Sequence, residues 1–217
     1  MKNYTILGCD DNALSMIFEI LSSLPEKKVS VEIIKNIGLP GKRFDYGVAD
    51  IEHKEINAEG WIKGNDNYIL GVVTPMAKKT VKIYFEKKFG IAGDDYISIS
   101  HFSSSIAKTA TLDKGSVINP GVVIAPYSKV RAFVFVNRSV SIGHHTRIGS
   151  YTTINPGANI AGHCNLGSSV TIGMGVNILD HISVGDNSII GAGSLVNKDI
   201  PPNVVAFGSP ARVVKHI

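Results

Sequence analysis

The chain of 217 residues is poor in cysteine, tryptophan and charge. Its two cysteines, Cys9 and Cys164, lie far apart, which predicts free thiols rather than a disulfide framework. Charged residues make up 18% against 44% hydrophobic, a balance that excludes an intrinsically disordered chain. No apolar run approaches the roughly 18 residues that a membrane-spanning helix needs. The opening stretch MKNYTILGCDDN has an apolar segment too short for a signal peptide, followed directly by acidic residues. Basic runs interleaved with aromatics are missing too, which argues against a nucleic-acid partner. These absences predict a soluble cytoplasmic protein of one or two domains.

The charge that is present divides unevenly. Residues 1–105 carry 13 Lys/Arg against 14 Asp/Glu, whereas residues 106–217 carry 9 against 4. A moderately basic second half suits a small anionic ligand such as a phosphorylated cofactor.

That second half is periodic. Stepping by six from Ile106 gives Leu112, Ile118, Ile124, Val130 and Val136, then Ile142, Ile148, Ile154 and Ile160. The step continues through Leu166, Ile172, Ile178, Val184, Ile190 and Val196, sixteen aliphatic residues in sixteen hexads. The other 80 positions between 106 and 201 hold only twelve Leu, Ile or Val. A helix needs a period near 3.6 and a lone strand a period of 2, so neither explains a strict six. A small or β-branched residue sits two places before nearly every aliphatic, as at Ala110, Ser128, Thr146 and Cys164. Glycine often follows the aliphatic, as at Gly143, Gly149, Gly167 and Gly191, where it is expected to accept unusual backbone angles at a turn. Three hexads then build one 18-residue coil of a triangular prism, with about five coils stacked at the roughly 4.8 Å spacing of paired strands.

On these residues the sequence resembles the hexapeptide-repeat superfamily, which implies a left-handed parallel β-helix. The first hundred residues read differently. Tyr4–Leu7, Val29–Ile34 and Tyr68–Val73 look like strands, Ala13–Leu24 and Val81–Phe89 like helices, and Tyr96–Ser100 like a last strand before the coils. This predicts a small Rossmann-like α/β domain over 1–100 and the β-helix with its cap over 101–217. In such a sheet ligands sit beyond the carboxyl ends of the strands, here at Gly8, Asp10, Asp11 and Asn12.

An α/β unit followed by a β-helix narrows the resemblance to sugar acetyltransferases of the sialic-acid O-acetyltransferase and bacillosamine N-acetyltransferase (NeuD/PglD) type. The resemblance implies that the small domain binds a sugar, often nucleotide-linked, that the β-helix binds acetyl-CoA, and that three copies form a homotrimer with active sites between subunits. It implies no metal. The family's first loop is usually glycine-rich with a histidine; here it reads Gly8-Cys9-Asp10-Asp11-Asn12, and two carboxylates repel a pyrophosphate. The alternative for this stretch is a structural turn with Asp11 or Asn12 capping the helix.

The segment Ile142-Gly143-His144 is similar to the family's catalytic segment, which makes His144 the general base for an acceptor hydroxyl or amine. The resemblance places an oxyanion-stabilising backbone N–H at Gly162. Where the family commonly has an acidic residue after the base, this chain has His145, a candidate to assist or replace His144. A second family histidine, nine residues after the base, is Thr153 here, assigned by position to the cofactor site. By position the acetyl-CoA set also includes Gly173, Gly191 and Ala192, with Lys198, Arg212 or Lys215 meeting its phosphates. The tail from Ile200 to Arg212 resembles the end of acetyltransferase β-helices, with Gly208 and Pro210 shaping a turn that delivers Arg212.

Separately, His145, His163 and His181 recur every 18 residues, which predicts one stacked column of imidazoles about 4.8 Å apart. A polar ladder lining a cleft is the first reading of that column; the second is a metal ion shared by adjacent imidazoles, which a straight column surrounds poorly without help from another subunit. A zinc lyase of the γ-carbonic-anhydrase kind, which shares the β-helix, and a catalytically inactive scaffold are the alternatives to acetyl transfer.

Overall fold

The computed structural model describes residues 2–25, 28–35, 51–64 and 67–217. Four parallel strands, β1 (Lys2–Leu7), β2 (Val29–Lys35), β3 (Ile51–Asn57) and β4 (Asn67–Leu70), form a sheet in the order β3-β2-β1-β4. Helix α1 (Asp11–Ser22) buries Leu14, Ile17, Phe18 and Leu21, the one-face spacing of an amphipathic helix. Its cap is Asp10, whose carboxylate accepts from the amides of Asn12 and Ala13, and not Asp11 or Asn12.

Helix α2 runs from Pro75 to Phe89, six residues longer at its start than the apolar pattern predicts. Thr74 caps it and Pro75 occupies the first turn, where a missing N–H costs nothing. Strand β3 went unpredicted because its sequence, IEHKEIN, is mostly charged and exposed, as suits a sheet edge.

The coils follow as seventeen two-residue parallel strands, from β5 (Ile99–Ser100) to β21 (Leu195–Val196). From β5 to β18 (Asn177–Ile178) each pairs with the strand 18 residues on, Ser141 with Asn159 and Ile142 with Ile160 for example. They make three faces. The first face runs from β5 and ends in a hairpin of β22 (Val204–Gly208) and β23 (Ala211–His216). The second contains Ser141–Ile142, and the third Arg147–Ile148. This is the left-handed β-helix architecture behind a small α/β domain that the sequence predicts. The repeat begins one hexad before the aliphatic column, because Ser100 holds the first inward place.

The aliphatic column fills the interior, with Ile142, Ile148, Ile154 and Ile172 fully buried. Two places before it, the small residues serve the corners. Ser128, Thr146 and Thr152 donate their hydroxyls to the carbonyls of Gly143, Ala161 and Gly167. The glycine after the aliphatic has a different job from the one expected. Gly143, Gly149, Gly167 and Gly191 do not have positive φ; a Cβ on Gly143 would lie 2.4 Å from the Ala161 carbonyl carbon. Close approach of the next coil requires them. The left-handed residue lies two places further on, at every sixth position from Gly115 to Gly193. Most occupants there are not glycine, and they include Tyr127, His145, His163 and His181.

The α/β domain sits on the first face. Its core is continuous with Ile99, Val117 and Phe135, the outward residues of that face, and Phe133 and Tyr151 pack at the adjoining edge. Among the described residues no helix is long and apolar enough to cross a membrane.

Candidate functional site

The edge between the second and third faces lies opposite the face that the α/β domain covers. Each hexad ends in a corner, and every third corner lies on this edge. Counting each hexad from its inward aliphatic, the residue in third place keeps its amide out of the coil-to-coil ladder, which is why Pro120, Pro126 and Pro156 are tolerated there. His144 and Gly162 are third-place residues stacked one coil apart, so the Gly162 N–H faces outward without a backbone acceptor. A Cβ on Gly162 would lie 2.9 Å from His144 Cε1, so glycine makes the room in which this imidazole rests. The exposed His144 ring has its Nδ1 3.1 Å from Nδ1 of His145.

The predicted column exists. The rings of His145 and His163 stack at 4.9 Å and those of His163 and His181 at 4.7 Å between centroids. Their left-handed backbone (φ 58–61) fixes where each side chain leaves the corner. His163 has its pKa lowered, by partial desolvation between its neighbours first and then by the like charges of His181, His145 and His144. His144 stands beside the column, with its ring perpendicular to that of His163 at 5.0 Å.

Three groups beside the histidines escaped the sequence reading. Tyr127 extends the column below His145 at 4.9 Å, and Lys129 and Arg147 stand one coil apart on the third face. With His145, His163, Cys164 and Asn165 they line a groove of about 530 Å³. The same step of 18 that found the histidines would have found them. Cys164 is buried, donates to the Leu179 carbonyl, and burial raises its pKa, as it does for Cys9; both thiols are free.

Of the predicted acetyl-CoA set, Lys198 joins His144 and Gly162 in the third-place column of this edge. Gly173, Gly191 and Ala192 lie on a different edge, between the first and second faces. Arg212 is exposed on the closing hairpin opposite Phe207, whose Cβ a side chain on Gly191 would meet at 2.7 Å, and Lys215 follows on the same strand. One chain therefore carries two separate sets, flanking its second face. Thr153, assigned by position to the cofactor, lies apart from both sets. It is buried on the first face, where its hydroxyl donates to the Val73 carbonyl and accepts from Lys78. Lys78 is buried against it, also donates to the Thr152 carbonyl, and desolvation lowers its pKa far below that of an ordinary lysine.

The first loop lies at the carboxyl end of β1, where β1 and β4 meet and the strand order reverses. This switch point is where open α/β sheets hold ligands. Gly8 has φ 98°, and the Asp10 amide donates to the Gly71 carbonyl, tying the two strand ends together. Asp10 already fills the first turn of α1, the turn that would otherwise receive an anion. Among the described residues none of 1–100 lines the histidine groove, so Gly8, Asp10, Asp11 and Asn12 stand apart from it in a single chain.

Residues 163–198 match the bacterial transferase hexapeptide (six repeats) family. No curated protein matches the chain in sequence. Solved structures do match in fold. The acetyltransferase domain of PglB from Neisseria gonorrhoeae superposes with a TM-score of 0.80 at 18% identity, covering 99% of this chain and 100% of that one. A variant of perosamine N-acetyltransferase from Caulobacter crescentus, in complex with CoA and GDP-perosamine, gives 0.77 at 18% identity over 99% and 97%. WeeI from Acinetobacter baumannii gives 0.71 at 17% over 99% and 100%. Over almost its whole length this chain has the fold of these proteins, a small α/β domain leading into a left-handed β-helix.

Proposed function

We propose that the protein is an acetyltransferase that moves the acetyl group of acetyl-CoA to a hydroxyl or amine of a sugar, free or nucleotide-linked. One observation carries this reading: an exposed imidazole, His144, resting over the outward backbone amide of Gly162 on the open edge of the coils. The fold relatives support it, since the domain from Neisseria is also described with acetyl coenzyme A and the Caulobacter enzyme with CoA and a GDP-sugar.

The chemistry follows from the geometry. With the His144 Nδ1–H donating to His145 Nδ1, the lone pair on His144 Nε2 is left to take a proton from the acceptor. The acceptor oxygen or nitrogen then attacks the thioester carbonyl, and the Gly162 N–H donates to the oxyanion that forms. Collapse of the tetrahedral intermediate expels the thiolate of CoA, which takes from His144 the proton that the acceptor gave up. No acyl-enzyme is needed. The basic groove of Lys129 and Arg147 suits an anionic part of either substrate.

The separation of the two residue sets, and of the first loop from His144, supports a site shared between copies in a homotrimer. A neighbouring copy supplies what one chain keeps apart. The test is release of free CoA from acetyl-CoA in the presence of neutral, amino and nucleotide-linked sugars. The reading requires release that depends on an acceptor and on His144. Hydrolysis or silence with every acceptor class would defeat it.

A further inference from the structure

The histidines of this edge do more than line a cleft. His144, His145 and His163 each offer a ring nitrogen, and these three atoms lie within 4.8 Å of one another. A zinc ion held by imidazoles at about 2.0–2.1 Å in tetrahedral geometry sets its ligand nitrogens about 3.3 Å apart. The 3.1 Å between His144 Nδ1 and His145 Nδ1 is already close to that. All three rings are exposed, so turning their side chains closes the remaining gap without disturbing the core. The left-handed corners of His145 and His163 fix where both side chains leave the backbone, and the two rings turn out of their 4.9 Å stack to aim their lone pairs at one ion. No carboxylate belongs to the group, and the soft, neutral donor set favours zinc and its late-transition neighbours over magnesium or calcium.

We infer that His144, His145 and His163 form a binding site for one divalent transition metal of the zinc class, and that occupation switches the enzyme off because a metal on His144 Nδ1 leaves the ring proton on Nε2, which then cannot accept one from the acceptor. The metal is an inhibitor of this site, not a cofactor. Binding needs only the three imidazoles; the inhibition alone rests on the acetyl-transfer reading.

The test begins without acetyl-CoA. Zinc is titrated into the purified protein against a chromophoric chelator, and cobalt is substituted to read the visible bands of a tetrahedral site. The expected result is one ion per chain, with tetrahedral cobalt bands and binding weakened at least tenfold in His145→Asn and in His163→Asn. Asparagine tolerates the left-handed corner, so these variants keep the fold. His181→Asn, next in the column, is expected to change the affinity less than threefold. Absence of binding, octahedral cobalt bands, or equal weakening by His181→Asn and His163→Asn would overturn the site. In the activity assay, zinc is expected to stop CoA release in the wild type at concentrations that leave His163→Asn active relative to its own metal-free rate. Stoichiometric zinc binding with undiminished CoA release would overturn the inhibition while leaving the site. Binding with no CoA release under any condition would instead count against acetyl transfer.

Discussion

The first face of the prism and the edge opposite it are built from the same hexad, yet their outward residues have opposite fates. On the first face Ile99, Val117, Phe135 and Thr153 disappear beneath the α/β domain. On the opposite edge Tyr127, His144, His145, His163 and His181 stay in solvent although nothing in the repeat prevents covering them. The inward column is indifferent to this distinction and aliphatic from Ile106 to Val196. Stability is therefore carried by positions that repeat identically around the prism, and chemistry by positions that the repeat leaves free to vary.

The largest effect that would sharpen this contrast is kinetic. His144→Ala is expected to lower the rate of acetyl transfer about 10²- to 10⁴-fold, the usual worth of a general base. Its unfolding free energy should stay within about 0.5 kcal/mol of wild type, because the residue is exposed. Next comes the column beneath both regions. Ile154→Ala below the covered face and Ile148→Ala below the third face should each cost about 2–5 kcal/mol in urea denaturation, since both are fully buried. A clear disparity between the two would mean that the α/β domain carries stability here assigned to the coils.

A smaller effect separates two kinds of glycine. Gly143→Ala pushes a methyl group to 2.4 Å from the Ala161 backbone and should cost about 1–3 kcal/mol. Gly157→Asn, at φ 69° with open space around it, should be close to neutral in the same assay. Finally, Lys78 gives the covered face a pH signature. Its folded-state pKa is depressed by burial, so between that value and the ordinary 10.5 the unfolded chain binds more protons than the folded one. Wild-type stability should thus rise with pH across that window relative to Lys78→Met, and fall relative to it as pH is lowered. Urea midpoints of the two proteins measured from pH 7 to 10 check this, and parallel curves would contradict it.

Most of the fold was legible because its constraints are periodic. One inward place in six must be apolar, and the step of 18 follows from three faces, so Ile106 to Val196 betray both the coil and the column of histidines. The positive-φ corner was misplaced by two residues because glycine serves two purposes here. At Gly143 it gives way to a neighbouring coil, while the left-handed corner accepts His, Tyr, Ser and Asn as readily as Gly. Lys78 was invisible for another reason: among the lysines of α2 nothing local marks the one that points inward, and only its pairing with Thr152 and Thr153, some 75 residues away, makes it different. The start of α2 was recoverable from Thr74-Pro75, a cap and first-turn pair that an apolar pattern does not see. As for the candidate site, His144 and Gly162 come from a motif, but the ligand triangle of His144, His145 and His163 does not follow from a column alone. It needs the one ring that stands outside it.

The most direct test of the acetyl-transfer reading is a calorimetric titration of acetyl-CoA into the metal-free protein, run in parallel on the wild type and His144→Ala. Micromolar binding to both, with one site per chain, is the predicted result, because the base acts on the acceptor rather than holding the cofactor. Failure of the wild type to bind acetyl-CoA would contradict the account and leave the open edge of the coils with a different task.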